Sequence, residues 1–283
     1  MLLRLLRQVF SRPSVPPGAS APAGDLPQAL RGALPGLLGE RVRLEAEAVP
    51  VTPTGALYAL WSKIPGGHKW LHYFPIYESL LASFRTKPVR VLEIGVFLGG
   101  SLRMWREYLH ADAVIVGIDL DPACARHDDP AQGVHVRIGA QQDPVFLDAL
   151  LREFGPFDVI LDDGSHVTEH IAASFDHLFR HGLAEGGLYL VEDTHTSYRP
   201  EFVGGSMSFI EIAKRLVDVL HYHYTAAAGP QRAKGFALDD AQRHPHLDVP
   251  WLTAGLAEIR FHDQMVMFIK KRRTALPVVV RRA

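Results

Sequence analysis

The chain has 283 residues, enough for one large α/β domain with appendages or for two small domains. Its 47% hydrophobic and 22% charged residues are ordinary for a globular protein, and a formal net charge of −1 offers no pull on a polyanion, so no nucleic-acid partner is expected. The single cysteine, Cys124, excludes an intrachain disulfide and a cysteine-rich metal site, and it fits a reducing, cytoplasmic location.

Residues 1–10 (MLLRLLRQVF) are apolar but interrupted by Arg4 and Arg7. They read as a short amphipathic helix or a frayed end, and no run in the chain suits stable membrane insertion. Residues 11–25 are rich in Pro, Ala, Gly and Ser, a composition that buries too little to order itself. A disordered tail is therefore expected over 1–32, followed by an N-terminal appendage over 33–64 in which 37–49 reads as strand or helix. The main domain is placed at 65–273. Its first segment, 65–81 (PGGHKWLHYFPIYESLL), is dense in His, Lys, Trp and Tyr. A lid or site wall is one reading; the favoured one is a helix packed on a sheet through Trp70, Phe74 and Tyr77.

Residues 89–101 (VRVLEIGVFLGGS) organise the rest. Val89, Val91, Leu92 and Ile94 suit a buried parallel strand. Gly95, Gly99 and Gly100 turn the chain, and 101–109 reads as a helix beginning at Ser101. Strand, glycine turn and helix build a nucleotide-sized crevice at the carboxyl edge of an α/β sheet. The spacing is E-x-G-x-x-x-G-G, not the G-x-G-x-x-G of a dinucleotide site. The carboxylate of Glu93 suits a cationic ligand better than a pyrophosphate. An ordinary strand-turn-helix remains the alternative.

Further strands follow at 113–119, ending in Asp119, and at 134–138, followed by Gly139, Ala140 and Gln141. Asp119 stands where α/β nucleotide sites place an acid for ribose hydroxyls. Asp143 and Pro144 open an amphipathic helix over 143–154. Residues 157–163 form a fourth strand ending in Asp162 and Asp163, 167–181 a helix, and 187–193 a fifth strand ending in Glu192 and Asp193. Alternating strands and helices predict a parallel sheet covered on both faces. Residues 208–220 read as a helix with Phe209, Ile212, Ala213, Leu216 and Leu220 on one face. That face and the aromatics of 65–81 predict a homo-oligomer. Residues 226–249 read as a loop. Residues 256–261 and 265–270 form a closing hairpin, hence antiparallel. A basic tail is placed at 274–283.

Strand-end carboxylates line the crevice that holds Gly95 and Asp119, and several acids converging there would repel one another. A hard cation relieves this, and oxygen ligands select Mg²⁺, Mn²⁺ or Ca²⁺. Alternatively the acids cap helices or pair with Lys69 or Arg199. His166, three residues past Asp163, is a candidate general base, since imidazole titrates near neutrality; otherwise it is a helix-start histidine bonded to backbone.

The E-x-G-x-x-x-G-G turn resembles motif I of class I S-adenosylmethionine (SAM) methyltransferases. Residues 162–166 (DDGSH) and 191–198 (VEDTHTSY) resemble the metal-dependent sugar O-methyltransferases of the mycinamicin and macrolide-tailoring type. Residues 68–78, 92–105 and 139–147 match that wider family as well. The resemblance implies a Rossmann-like α/β sheet, mostly parallel with a C-terminal antiparallel hairpin. It implies SAM as cofactor, held by Glu93, Gly95, Gly99, Gly100, Ser101, Asp119, Gln141 and Asp162. It implies Mg²⁺ or Mn²⁺ held by Asp163, Glu192 and Asp193, with His166 as catalytic base. The acceptor would be a small-molecule hydroxyl, glycosylated, in antibiotic biosynthesis. Two departures stand out. Gln141 replaces the acid that often meets the adenine amine, and His68-Lys69 replaces an Asp-Lys pair before the tryptophan. A metal-independent methyltransferase, a nucleotide-binding oxidoreductase and a non-catalytic SAM-like domain remain as rivals.

Overall fold

A computed structural model describes residues 28–39, 42–45, 51–203, 207–224 and 248–275. The expectations for 1–25 and for Arg281 and Arg282, and nearly all of the loop expected at 226–249, lie outside the described residues. The chain divides into two compact units, Met1–Pro50 and Val51–Ala283. In the first, α1 (Gln28–Ala33) and α2 (Pro35–Gly39) are short helices, and α1 runs across the boundary expected at 32/33.

The second unit begins earlier than the expected residue 65. Helix α3 (Ala56–Trp61) packs its buried Leu57 into the main core, together with α4 (Tyr73–Leu81). Then come β1 (Arg90–Ile94), α5 (Gly100–Tyr108), β2 (Val114–Asp119), β3 (Val134–Ile138), α6 (Pro144–Phe154), β4 (Phe157–Asp162), α7 (Thr168–His181) and β5 (Leu183–Val191). The chain ends its described course with α8 (Pro200–Val203), α9 (Phe209–Leu220), α10 (Trp251–Gly255), β6 (Leu256–His262) and β7 (Met265–Lys270).

The strands form one seven-stranded sheet in the order β3-β2-β1-β4-β5-β7-β6. The pairs among β1 to β5 are parallel, and β7 runs antiparallel to both β5 and β6. This is the expected mixed sheet with its closing hairpin. Strand order reverses between β1 and β4, which opens a crevice beyond their carboxyl ends. Side chains alternate across β1. Val91 joins the core under α3, α4 and α5, while Leu92 and Ile94 join the core with α6, α7 and α9. Burial on both faces explains the near-continuous apolar runs of the central strands.

Local signals set the helix ends. Asp143 Oδ1 accepts from the Val145 N–H at 2.9 Å, with Pro144 in the first turn of α6, and Ser208 caps α9 through the Glu211 N–H at 3.3 Å. In α9, Phe209 and Ala213 are buried against the sheet, the Phe209 ring 6.3 Å from that of Phe268. The Thr253 hydroxyl of α10 ties to the Val219 carbonyl at 2.8 Å. The face that suggested self-association is thus largely covered within the chain. Trp70 also departs from expectation: it is 46% exposed, while Tyr73, Phe74 and Tyr77 make the packing.

Candidate active site

The glycine turn sits at the reversal point and is held by main chain. Gly95 has φ +96°, and a Cβ there would stand 2.2 Å from the Asp163 carbonyl, so the position requires glycine. Its N–H donates to the Ile118 carbonyl at 2.8 Å, and the Asp163 N–H donates to the Ile94 carbonyl at 2.9 Å. Asp119 closes the turn from β2. Its Oδ2 accepts from the N–H groups of Val96 (2.8 Å) and Phe97 (3.0 Å), and its Oδ1 from that of Asp121 (2.9 Å). Burial alone would raise this carboxyl; the backbone donors outweigh it and hold it below its usual range. Gly99, at φ +70°, leaves room for the His127 ring, and Gly100 leaves room for Gly67. A cavity of about 60 Å³ is lined by Gly66, Gly67, Lys69, Gly95, Gly100, Ser101 and Asp163, among others.

Three residues expected to touch the cofactor, Glu93, Gln141 and Asp162, are buried and bonded to protein groups. Glu93 is fully buried on the α5 side of β1, where its Oε2 accepts from the Ser101 hydroxyl at 2.8 Å. Its Oε1 finds no partner among the described residues. Burial pushes the Glu93 carboxyl up to about 7, against the pull of Lys69. Asp162 is buried on the opposite face and accepts from Ser174 (2.9 Å), Tyr189 (3.1 Å) and the Gln141 amide (3.1 Å). The Gln141 carbonyl oxygen accepts from the Ser165 N–H at 2.9 Å. Both ends of that amide are therefore engaged in tying β4 to the turn after it. The strand pleat points Glu93 and Asp162 into the core, Gln141 reaches in from the turn after β3, and buried polar groups must find partners there.

The acids past β4 and β5 form the other half of the site. Asp163, His166 and Asp193 each offer a ligand atom within 4.8 Å of the other two. His166 Nε2 lies 4.0 Å from Asp163 Oδ1 and 3.9 Å from Asp193 Oδ2. His166 (φ +58°) and Asp193 (φ +50°) are both left-handed non-glycine residues, a strained state of the kind that gathers at functional sites. Glu192, expected as a metal ligand, lies beside Lys69. It is fully buried, and its Oε2 takes the Lys69 ammonium at 2.7 Å. The same ammonium reaches Asp163 Oδ2 at 2.5 Å. Asp163 and Glu192 thus converge on a lysine. Burial alone would lower the Lys69 ammonium, but Asp163, Glu192 and Glu93 outweigh it and hold it well above its usual value. Burial raises the Glu192 carboxyl while Lys69 pulls it back.

Tyr73 was missed in the sequence. Its hydroxyl donates to Asp193 Oδ1 at 2.5 Å, and burial beside Asp193 raises its pKa strongly. The aromatic density of 65–81 was the available signal, because a lid-like segment is where such a partner would lie. Trp61 packs over Gly67, so α3 pins the turn that delivers Lys69 to the acids.

The fold and the two halves of the site define a class. Residues 92–194 match the family described as a methyltransferase domain. More particularly, the chain resembles macrolide-type sugar O-methyltransferases, as its motifs suggested. It is 39% identical over 197 residues to 8-demethyl-8-alpha-L-rhamnosyl tetracenomycin-C 2'-O-methyltransferase of Streptomyces olivaceus, covering 64% of this chain and 51% of that protein. It is 37% identical over 181 residues to mycinamicin VI 2''-O-methyltransferase of Micromonospora griseorubida, covering 59% of this chain and 44% of that protein. The solved structure of the MycE methyltransferase from the mycinamycin biosynthetic pathway, in complex with Mg and SAH, superposes with a TM-score of 0.64 at 29% identity, over 78% of this chain and 55% of that one. The chain spans about half the length of these curated relatives.

Proposed function

We propose that this chain transfers a methyl group from SAM to a hydroxyl of a sugar or glycosylated metabolite, with the help of a divalent ion. One observation carries the reading: the glycine turn closed by Asp119 and the acids around His166 meet at a single sheet edge, joined by the Gly95–Asp163 contact. The names of the relatives and the Mg and SAH of the MycE structure support it. The donor set fits a hard cation, since Asp163 and Asp193 offer carboxylate oxygens within 4.8 Å of one another, with the buried Glu192 carboxylate joined to Asp163 through Lys69.

When bound, Mg²⁺ or Mn²⁺ supplies Lewis acidity that lowers the pKa of the acceptor hydroxyl. Asp163, Glu192 and Asp193 would hold it, with Tyr73 orienting Asp193. His166 removes the hydroxyl proton at Nε2, which faces both Asp163 and Asp193. The turn at Gly95, Gly99 and Gly100 admits the cofactor closely, and Asp119 takes its ribose hydroxyls on the lone pairs its backbone donors leave. Positioning of the hydroxyl in line with the methyl group then supplies much of the acceleration.

A metal-independent methyltransferase is the second reading, favoured by one observation: the Lys69 ammonium already bridges Asp163 and Glu192. Transfer of labelled methyl from SAM to a panel of glycosides, before and after exhaustive chelation, separates the two. Activity that vanishes with EDTA and returns with Mg²⁺ supports the first. Unchanged activity supports the second, and no transfer to any glycoside removes the sugar acceptor.

A further inference from the structure

Lys69 is a buried cation in an unusual place. Its side chain is 5% exposed, and its ammonium bonds Asp163 Oδ2 at 2.5 Å and Glu192 Oε2 at 2.7 Å. Those are two of the three carboxylates that the proposed function gives to the divalent ion. One ammonium does not satisfy the cluster. Glu192 Oε1 makes no well-formed hydrogen bond among the described residues, although the buried Tyr77 hydroxyl acts on this carboxylate, and Asp163 Oδ1 and Asp193 Oδ2 face His166 at about van der Waals distance. A single positive charge among three acids leaves the site short of cations, and a divalent ion would reach more of these oxygens at once.

We propose that Lys69 is an internal stand-in for the metal: it holds Asp163 and Glu192 together in the metal-free protein, and the divalent ion must displace its ammonium to bind. This rests on the metal-dependent reading above. Lysine suits an exchangeable role. It is a point charge on a flexible four-carbon stem, unlike the rigid fork of arginine. Lys69 comes from an irregular stretch between α3 and α4, so swinging it out breaks no helix or strand.

The test uses Mn²⁺ as probe, read by electron paramagnetic resonance and calorimetry on the full chain without cofactor, in wild type and Lys69→Met. Removal of the competitor is expected to tighten Mn²⁺ binding about ten-fold or more, the scale of losing one charge-assisted hydrogen bond to the apo state. Binding by Lys69→Met alone, with wild type blocked, also supports the proposal. Equal or weaker binding by the variant overturns it while leaving the metal site standing. No Mn²⁺ binding by either protein overturns the metal-dependent reading, and the proposal with it. Should Lys69→Met fail to fold, acetylation of wild type read by peptide mass spectrometry decides. Lys69 should be protected without metal and become reactive on Mn²⁺ addition; a rate unchanged by Mn²⁺ that wild type is shown to bind overturns the displacement.

Discussion

The two halves of the site are built by opposite means. The glycine turn is held by main-chain donors from residues close by in the sheet: the N–H groups of Val96, Phe97 and Asp121 converge on Asp119, and Gly95 bonds Ile118. The acid cluster is held by side chains from far along the chain. Lys69 reaches Asp163 across 94 residues and Glu192 across 123, and Tyr73 reaches Asp193 across 120. The backbone of the first half is tied by hydrogen bonds, although Glu93 Oε1 has no partner among the described residues. In the second, side chains carry the ties, and the backbone at His166 and Asp193 is left-handed, as it is at Phe97 in the first. A loop held by its own main chain is fixed by nearby sequence, whereas a cluster held by distant side chains is completed only when the chain folds.

Breaking each half should have a different signature. His166→Ala is expected to lower kcat about 10²–10⁴-fold while leaving SAM affinity unchanged, the usual worth of a positioned base. The loss should shrink as pH rises and the acceptor hydroxyl ionises unaided; near-normal turnover at neutral pH would make the histidine structural. Gly95→Ala attacks the other half. A methyl 2.2 Å from the Asp163 carbonyl, on backbone at φ +96°, should lower stability by about 4 kcal/mol, measured by urea denaturation. A fully stable variant would show that the turn can be built another way.

Glu93 sharpens the contrast through pH. Its ordinary carboxyl value is 4.5 and its folded value about 7. Between those values the folded protein keeps a proton that the unfolded chain has lost, so stability falls as pH rises through this window. Glu93→Gln should therefore match wild type below pH 4.5 and exceed it by about 3 kcal/mol above pH 7, as read by denaturation at both ends. A pH-independent difference would show that the buried carboxyl does not titrate there. The smallest effect is expected at Asp119. Asp119→Ala should weaken SAM binding by about 1–3 kcal/mol in calorimetry, the cost of losing a charged acceptor, and leave Mn²⁺ binding intact. Unchanged SAM affinity would remove Asp119 from the cofactor site.

Much of this was legible in the residue order. Periodicity and glycine punctuation placed the strands and the hairpin, because burial on both sheet faces demands apolar runs and a tight turn demands glycine. The acids at strand ends followed from topology, since parallel strands deliver their carboxyl ends to one edge. What the linear order left open was direction and partnership. Glu93, Asp162 and Glu192 stand beside the crevice in sequence, yet the pleat and the packing of α4, α5 and α7 turn them inward. Which acid is free and which is paired depends on a lysine and a tyrosine brought in from 65–81, and on Trp61 pinning their turn through Gly67. Local sequence determined the elements because propensity, capping and burial act within a few residues. Only tertiary structure decided the charges that meet, because Coulomb and hydrogen-bond partners are chosen by distance in space.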